Sequence, residues 1–361
     1  MTRLHEFAKL GQSIWLDYIS RSLITSGELQ SLIGEGLRGI TSNPTIFEKA
    51  IAGSVAYDDD IRRLSVQGKT DLEIYEALAI HDIKGAADLL RPLHEETKGA
   101  DGYVSLEANP KLAYDTEGTI VEVRRLWKLL ARPNVMIKVP ATAAGIPAIE
   151  RLTADGINVN ITLIFSVSHY DAVARAYTGG LEKLAAAGGP VEKVASVASF
   201  FVSRIDTIVD GALKAKGITD LQGRIAVDYS KVVYSRFREH LASARWKDIA
   251  GRGARVQRLL WGSTGTKNPG YSDVLYVDHL IGPDTVNTLP PATLEAFRDH
   301  GRVAVTAAEG MKDARARLSR LEALGISMDQ ITRKLQDDGV AAFARSFEGL
   351  LNSISEKRKK L

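Results

Sequence analysis

Cysteine is absent from these 361 residues. Its absence excludes a disulfide scaffold, a thiolate metal site, an iron–sulfur cluster and a cysteine nucleophile, and it fits a reducing compartment. Charge of one sign is lacking too: 47 basic residues face 44 acidic ones, a net +3. Nucleic-acid binders concentrate a basic excess on one face. The one basic cluster here, Lys357–Lys360, reads as a solvated, frayed tail. No run reaches the ~18 apolar residues that span a bilayer, and the N-terminus lacks the basic-then-apolar order of a signal peptide. No Pro/Gly/Ser-rich linker and no fixed-period repeat divides the chain. The seven histidines (His5, His81, His94, His169, His240, His279 and His300) form no pair at metal-ligand spacing. A soluble cytoplasmic chain is expected, with no metal, no cofactor, no nucleic-acid partner and no membrane.

Short apolar runs alternate with longer amphipathic segments throughout. The runs are Ser13–Ile19, Leu37–Ser42, Tyr103–Ala108, Val135–Pro140, Val159–Phe165, Val194–Val202, Arg258–Ser263 and Thr285–Leu289. Most are rich in Val, Ile and Leu instead of alternating, as strands buried on both faces are. Thr70 to Glu73 has the pattern of a capping box, and Leu72, Tyr75, Leu78, Ala79, Ala86, Leu89 and Leu93 share one face of the helix it opens. Ser327 and Gln330 frame a second such box. Eight strands with intervening helices predict a parallel sheet with right-handed crossovers, closed as a (β/α)8 TIM barrel whose side chains fill its interior. Residues 44–100 are expected to add two or three helices. One domain over 1–361 is expected, with 291–361 as C-terminal helices packed on the barrel.

Gly34, Gly36 and Gly39 match the spacing of a dinucleotide-binding loop, with Asp58 about 20 residues on. That loop needs a strand before it and a helix after it. Here the order is reversed, so Gly34 and Gly36 are expected to end a helix and turn the chain. Lys138 is the informative residue, because it stands in the apolar strand Val135–Pro140. It either snorkels past a helix on the outer face or points into the barrel. In the second case it is a candidate Schiff-base nucleophile: imine formation needs a neutral amine, which low-dielectric surroundings favour. Other strand ends carry polar groups of the kind that would surround it. They are Asp17, Thr41 to Asn43, Glu107, Asn160 with Thr162 at i, i+2, and Ser199 with Arg204 around Phe200 and Phe201. Each alone reads as a cap, turn former or surface charge. Together they stand where barrel enzymes build their sites.

These residues resemble the transaldolase family. The resemblance runs from about Trp15 to Pro291 and is carried by Gly39–Thr45 (GITSNPT), Val104–Glu107 (VSLE), Ile137–Pro140 (IKVP), Gly156–Ser166 (GINVNITLIFS) and Ser199–Arg204 (SFFVSR). Trp261–Pro269 (WGSTGTKNP) is similar to the longer bacterial subgroup, which includes forms fused to glucose-6-phosphate isomerase.

The resemblance implies a transferase that moves dihydroxyacetone from sedoheptulose 7-phosphate to glyceraldehyde 3-phosphate in the non-oxidative pentose phosphate pathway. It also implies sugar-phosphate substrates, and it admits a homodimer. Lys138 is implied as the imine-forming lysine and Asp17 as the general base. Glu107 and Thr162 are implied to hold a proton-shuttling water, with Phe201 beside it. Asn43 and Asn160 are implied to bind the dihydroxyacetone hydroxyls, with Ser199 in the same pocket, and Arg204 to bind phosphate. Relatives carry a second arginine after strand seven; this chain offers Ser263, Thr264 and Lys267 instead. Two rival readings are a fructose 6-phosphate aldolase, with Gln and Tyr at the Glu107 and Phe201 positions, and a non-catalytic barrel.

Overall fold

The computed structural model describes residues 2–361. Eight strands are present: β1 (Gln12–Asp17), β2 (Gly39–Thr41), β3 (Tyr103–Glu107), β4 (Val135–Pro140), β5 (Val159–Ile164), β6 (Ser196–Phe201), β7 (Arg258–Gly262) and β8 (Thr285–Leu289). They pair in parallel and in sequence order, and β8 closes on β1. This is the expected (β/α)8 barrel. β2 is shorter than the run Leu37–Ser42, and just past its end the Ser42 carbonyl accepts from the Lys138 amine.

The strands are buried almost throughout, yet their two faces differ. Trp15, Tyr103, Met136, Val197, Leu260 and Val286 form an apolar cluster of their own. Two residues further along these strands, on the same face, come Asp17, Ser105, Lys138, Ser199, Gly262 and Thr288. The interior thus turns from apolar to polar over one strand step, toward the C-terminal ends. Gly39 is required beside Trp15: a Cβ there would lie 2.6 Å from the indole.

Helices Glu28–Gly34 and Pro44–Ala52 flank β2, with Gly36 turning the chain at φ +109°. The dinucleotide loop is thereby excluded, as expected. Three helices fill 44–100: Pro44–Ala52, Asp58–Val66 and Asp71–Glu96. The Thr70–Glu73 capping box forms reciprocally. Its neighbour Leu72 is a correction, since it is exposed; the buried stripe runs through Ile74, Tyr75, Leu78, Ala79 and Ile83. At Ser327 only half of the expected box forms. Its hydroxyl accepts from the Gln330 amide, and the Gln330 side chain returns nothing.

The C-terminal helix, Met328–Lys360, lies across the mouth of the barrel. Leu335, Val340, Phe343, Phe347, Leu350 and Ile354 form its buried stripe. Phe347 meets Tyr75 edge-on at 5.6 Å. The last basic residues are not a frayed tail, which corrects the sequence reading. Lys357 donates to Asp58, and Arg358 pairs with Asp71 at 3.3 Å. Among the described residues, no helix is long and apolar enough to cross a membrane.

Candidate active site

A cavity of about 300 Å³ opens at the C-terminal ends of the strands, where this fold carries its catalytic loops. Nine of the eleven residues singled out from sequence line it: Asp17, Asn43, Lys138, Thr162, Ser199, Phe201, Arg204, Ser263 and Lys267. Glu107 and Asn160 lie in the wall behind them.

Lys138 points inward and is 6% exposed. Register puts it directly between Glu107 of β3 and Asn160 of β5. Its Nζ donates to the Ser42 carbonyl at 3.0 Å and lies 3.3 Å from Glu107 Oε2. The Ser42 hydroxyl donates to the Ser105 carbonyl at 2.7 Å, which fixes that acceptor. Burial pushes the Glu107 carboxyl up; Lys138 draws it back and Asp17 raises it further. A carboxylate with raised proton affinity beside an ammonium is a local acceptor for the proton that the amine must lose to become a nucleophile. Thr162 Oγ1 is buried without a hydrogen-bond partner among the described residues, while Glu107 Oε2, also buried, is met by the Lys138 ion pair.

Asp17, at the end of β1, faces the same cavity. Burial raises its carboxyl, while Lys138 and Lys267 pull it down. Its proton affinity therefore moves toward working pH, as a general base requires. Asn160 donates to Ser105 Oγ at 3.0 Å and accepts from the Ser199 hydroxyl at 2.7 Å, so its carbonyl is engaged and one amide hydrogen remains. Asn43 does two things. Its Oδ1 accepts from the Ile46 amide at 3.0 Å, capping the Pro44–Ala52 helix, and its amide nitrogen remains for the cavity it lines.

Arg204 sits in the first turn of helix Ser203–Ala215, its guanidinium 5.4 Å from the Phe201 ring centre. It is half-buried, and its side chain makes no hydrogen bond or ion pair among the described residues. Ser263 is held in the left-handed region (φ +55°), with its hydroxyl 3.0 Å from that of Ser203. Lys267 stands exposed on the following loop. Thr264 turns away, donating to Asn287 and to the Thr288 carbonyl, both at 2.9 Å.

Lys49 and Phe343 are among the lining residues that carried no sequence signal. Lys49 is an exposed cation on the Pro44–Ala52 helix, indistinguishable in sequence from a solvated helix lysine. Phe343 belongs to the C-terminal helix, and its ring centre lies 6.0 Å from Lys138 Nζ. In sequence it is one more member of an apolar stripe. Lys49, Arg204 and Lys267 give the mouth three cations with no ion-paired carboxylate among the described residues, which suits a dianionic phosphate.

A family model described as transaldolase/fructose-6-phosphate aldolase matches residues 14–354. The chain is 48% identical to a transaldolase of Trichodesmium erythraeum, over 99% of this chain and 98% of that one. It is 47% identical to a transaldolase of Thiobacillus denitrificans (97% and 98% covered) and 46% identical to one of Thermobifida fusca (98% and 98%). By fold, by site and by near full-length similarity, the chain belongs to the transaldolase/fructose-6-phosphate aldolase family.

Proposed function

We propose that this protein is a transaldolase working through an imine on Lys138. The observation that carries the reading is the buried Lys138 amine, set between the Ser42 carbonyl and Glu107 and opening onto a cavity that also holds Asp17 and three cations. The ketose C2 carbonyl condenses with the Lys138 amine. Glu107 and Thr162 relay the protons through a water that bridges the Glu107 carboxylate and the Thr162 hydroxyl. Asp17 takes the C4 hydroxyl proton, and the C3–C4 bond breaks with its electron pair drawn toward the iminium nitrogen. The aldose phosphate leaves and the dihydroxyacetone unit stays on Lys138 as an enamine. An incoming aldose phosphate, held by Arg204 and Lys267, accepts it by the reverse steps. Asn43, Asn160 and Ser199 bind the hydroxyls of the three-carbon unit.

With sedoheptulose 7-phosphate and glyceraldehyde 3-phosphate the products are erythrose 4-phosphate and fructose 6-phosphate. The reading carries sugar phosphates as partners in place of nucleic acid, the cytoplasm as location and a homodimer as the assembly to check by light scattering. Borohydride reduction with fructose 6-phosphate tests it. A three-carbon adduct is expected on the peptide containing Lys138, and none in Lys138→Ala. An adduct on Lys267 or Lys49 instead would refute the assignment. If free dihydroxyacetone forms equally fast with and without erythrose 4-phosphate, the enzyme is an aldolase.

A further inference from the structure

The loop that carries Lys267, residues 264–274, follows β7 and is exposed along 267–270. Thr264 fixes its start to β8. Within it, the Thr266 hydroxyl donates to the Ser272 carbonyl at 2.8 Å, and the Tyr271 amide donates to the Asn268 carbonyl at 3.1 Å. Those two bonds shape the loop without placing it against the rest of the site. The Tyr271 hydroxyl does place it. It donates to Asp210 Oδ2 at 2.8 Å, and the other oxygen of that carboxylate accepts from the Gly223 amide at 3.0 Å. Gly223 is left-handed (φ +68°), and a Cβ there would lie 2.8 Å from the Tyr271 ring, so the ring's approach requires glycine. Asp210 belongs to the helix Ser203–Ala215, whose first turn carries Arg204 about 9 Å away along the axis. One turn nearer Arg204, Asp206 accepts from the hydroxyl of Tyr276, just past the loop, at 3.0 Å. The helix that holds one cavity cation thus grips the segment that holds another.

We propose that Tyr271 and Asp210 are positioning residues for phosphate recognition: their hydrogen bond fixes where Lys267 stands relative to Arg204. This rests on the transaldolase reading. A lysine meets phosphate as a point charge on a flexible stem, so its contribution depends on where its backbone is held. On a loop free to move, the ammonium must be ordered at each binding event, and that entropy is subtracted from the affinity. With Tyr271 four residues from Lys267 and bonded to the Arg204 helix, the ordering is done in folding. Neither Tyr271 nor Asp210 lines the cavity. Both therefore act through Lys267, and their effect is confined to substrates that carry phosphate.

The test measures transfer from saturating fructose 6-phosphate to erythrose 4-phosphate and to unphosphorylated erythrose, and takes the ratio of the two kcat/KM values. A loss of folded enzyme lowers both values together and leaves the ratio fixed, whereas a misplaced Lys267 lowers it. Tyr271→Phe, which loses one oxygen atom, should lower the ratio about threefold or more, through the KM for erythrose 4-phosphate. Asp210→Ala should do the same. Asp210→Asn should restore most of the ratio, because its carboxamide can accept from Gly223 and donate to the Tyr271 oxygen. In Lys267→Met, adding Tyr271→Phe should change the ratio less than about twofold, since the group it positions is gone. A smaller fall in Tyr271→Phe overturns the proposal, and so does an Asp210→Asn ratio as low as that of Asp210→Ala or an undiminished fall in the Lys267→Met background. Wild-type transfer with an unchanged Tyr271→Phe ratio sinks only this inference. A wild type that forms no sedoheptulose 7-phosphate removes the reading beneath it as well.

Discussion

At Asp17, burial raises the carboxyl and two lysines lower it, with burial the larger effect. Cleavage needs the ionised form, so the acid limb of kcat should lie above the ordinary carboxylate range, and activity should fall as pH drops through it. Lys267→Met removes one of the lowering charges and should move that limb to higher pH while raising the KM for phosphorylated substrates. A pH–rate profile of both proteins checks this; superimposable acid limbs would disprove it. Asp17→Ala should still trap sugar with borohydride, now as the uncleaved six-carbon adduct, while turnover falls ~10²–10⁴-fold. Loss of trapping in the folded variant would move Asp17 to an earlier step. Asp206 gives a second titration, away from the cavity. It accepts from the Ala226 amide (2.7 Å) and from the Tyr276 hydroxyl (3.0 Å), and burial pushes it up to about 7. Between about pH 4 and 7 the native state holds a proton that the unfolded chain has released, so this group's contribution to stability declines as pH rises. Asp206→Asn should gain stability relative to wild type across that window, as followed by urea unfolding at stepped pH. A constant difference would show that Asp206 does not titrate there. Lys138 was legible because a cation in an apolar strand breaks the pattern around it. Lys49 was not, because a lysine on a helix breaks none.

Among the elements, strands were legible and lids were not. All eight apolar runs became strands, since burial on both faces demands apolar residues at every position. The exceptions, Asp17, Glu107, Lys138 and Thr162, marked the interior. The C-terminal helix shows the opposite case. Its stripe from Leu335 to Ile354 announces a buried face, but periodicity does not say which surface covers it. The same limit explains the basic tail. Lys357 and Arg358 read as solvated because their partners, Asp58 and Asp71, lie almost 300 residues earlier. Lys357 is largely buried and also donates to the Ser54 carbonyl. Lys357→Ala should therefore cost about 1 kcal/mol in urea unfolding, where a frayed tail would cost nothing. Gly39→Ala tests the barrel interior. Its Cβ would meet the fully buried Trp15 ring at 2.6 Å, and about 1–3 kcal/mol of overpacking is expected as a lowered Tm. An unchanged Tm would mean that the indole has room to move.

For the whole molecule, the C-terminal helix touches the Pro44–Ala52 and Asp71–Glu96 helices as well as the barrel rim. We propose that residues 1–361 act as one folding unit, so thermal unfolding should be a single transition. Two resolved transitions would divide it. Dialysis against a strong chelator should leave transfer intact, because the imine supplies the electron sink that a metal would otherwise provide; activity restored only by a divalent ion would contradict this. The amino-acid sequence by itself determined the alternation of strand and helix, the closed parallel barrel and the lysine at its centre. These follow from local periodicity and from the cost of burying a charge without a purpose. Only the tertiary structure decided which carbonyl holds that lysine, which cations gather at the mouth and which aromatic covers the site. Ser42, Lys49 and Phe343 meet Lys138 and its cavity from opposite ends of the chain. Contacts of that span are fixed by how helices pack around a closed barrel, and no local pattern of residues records that packing.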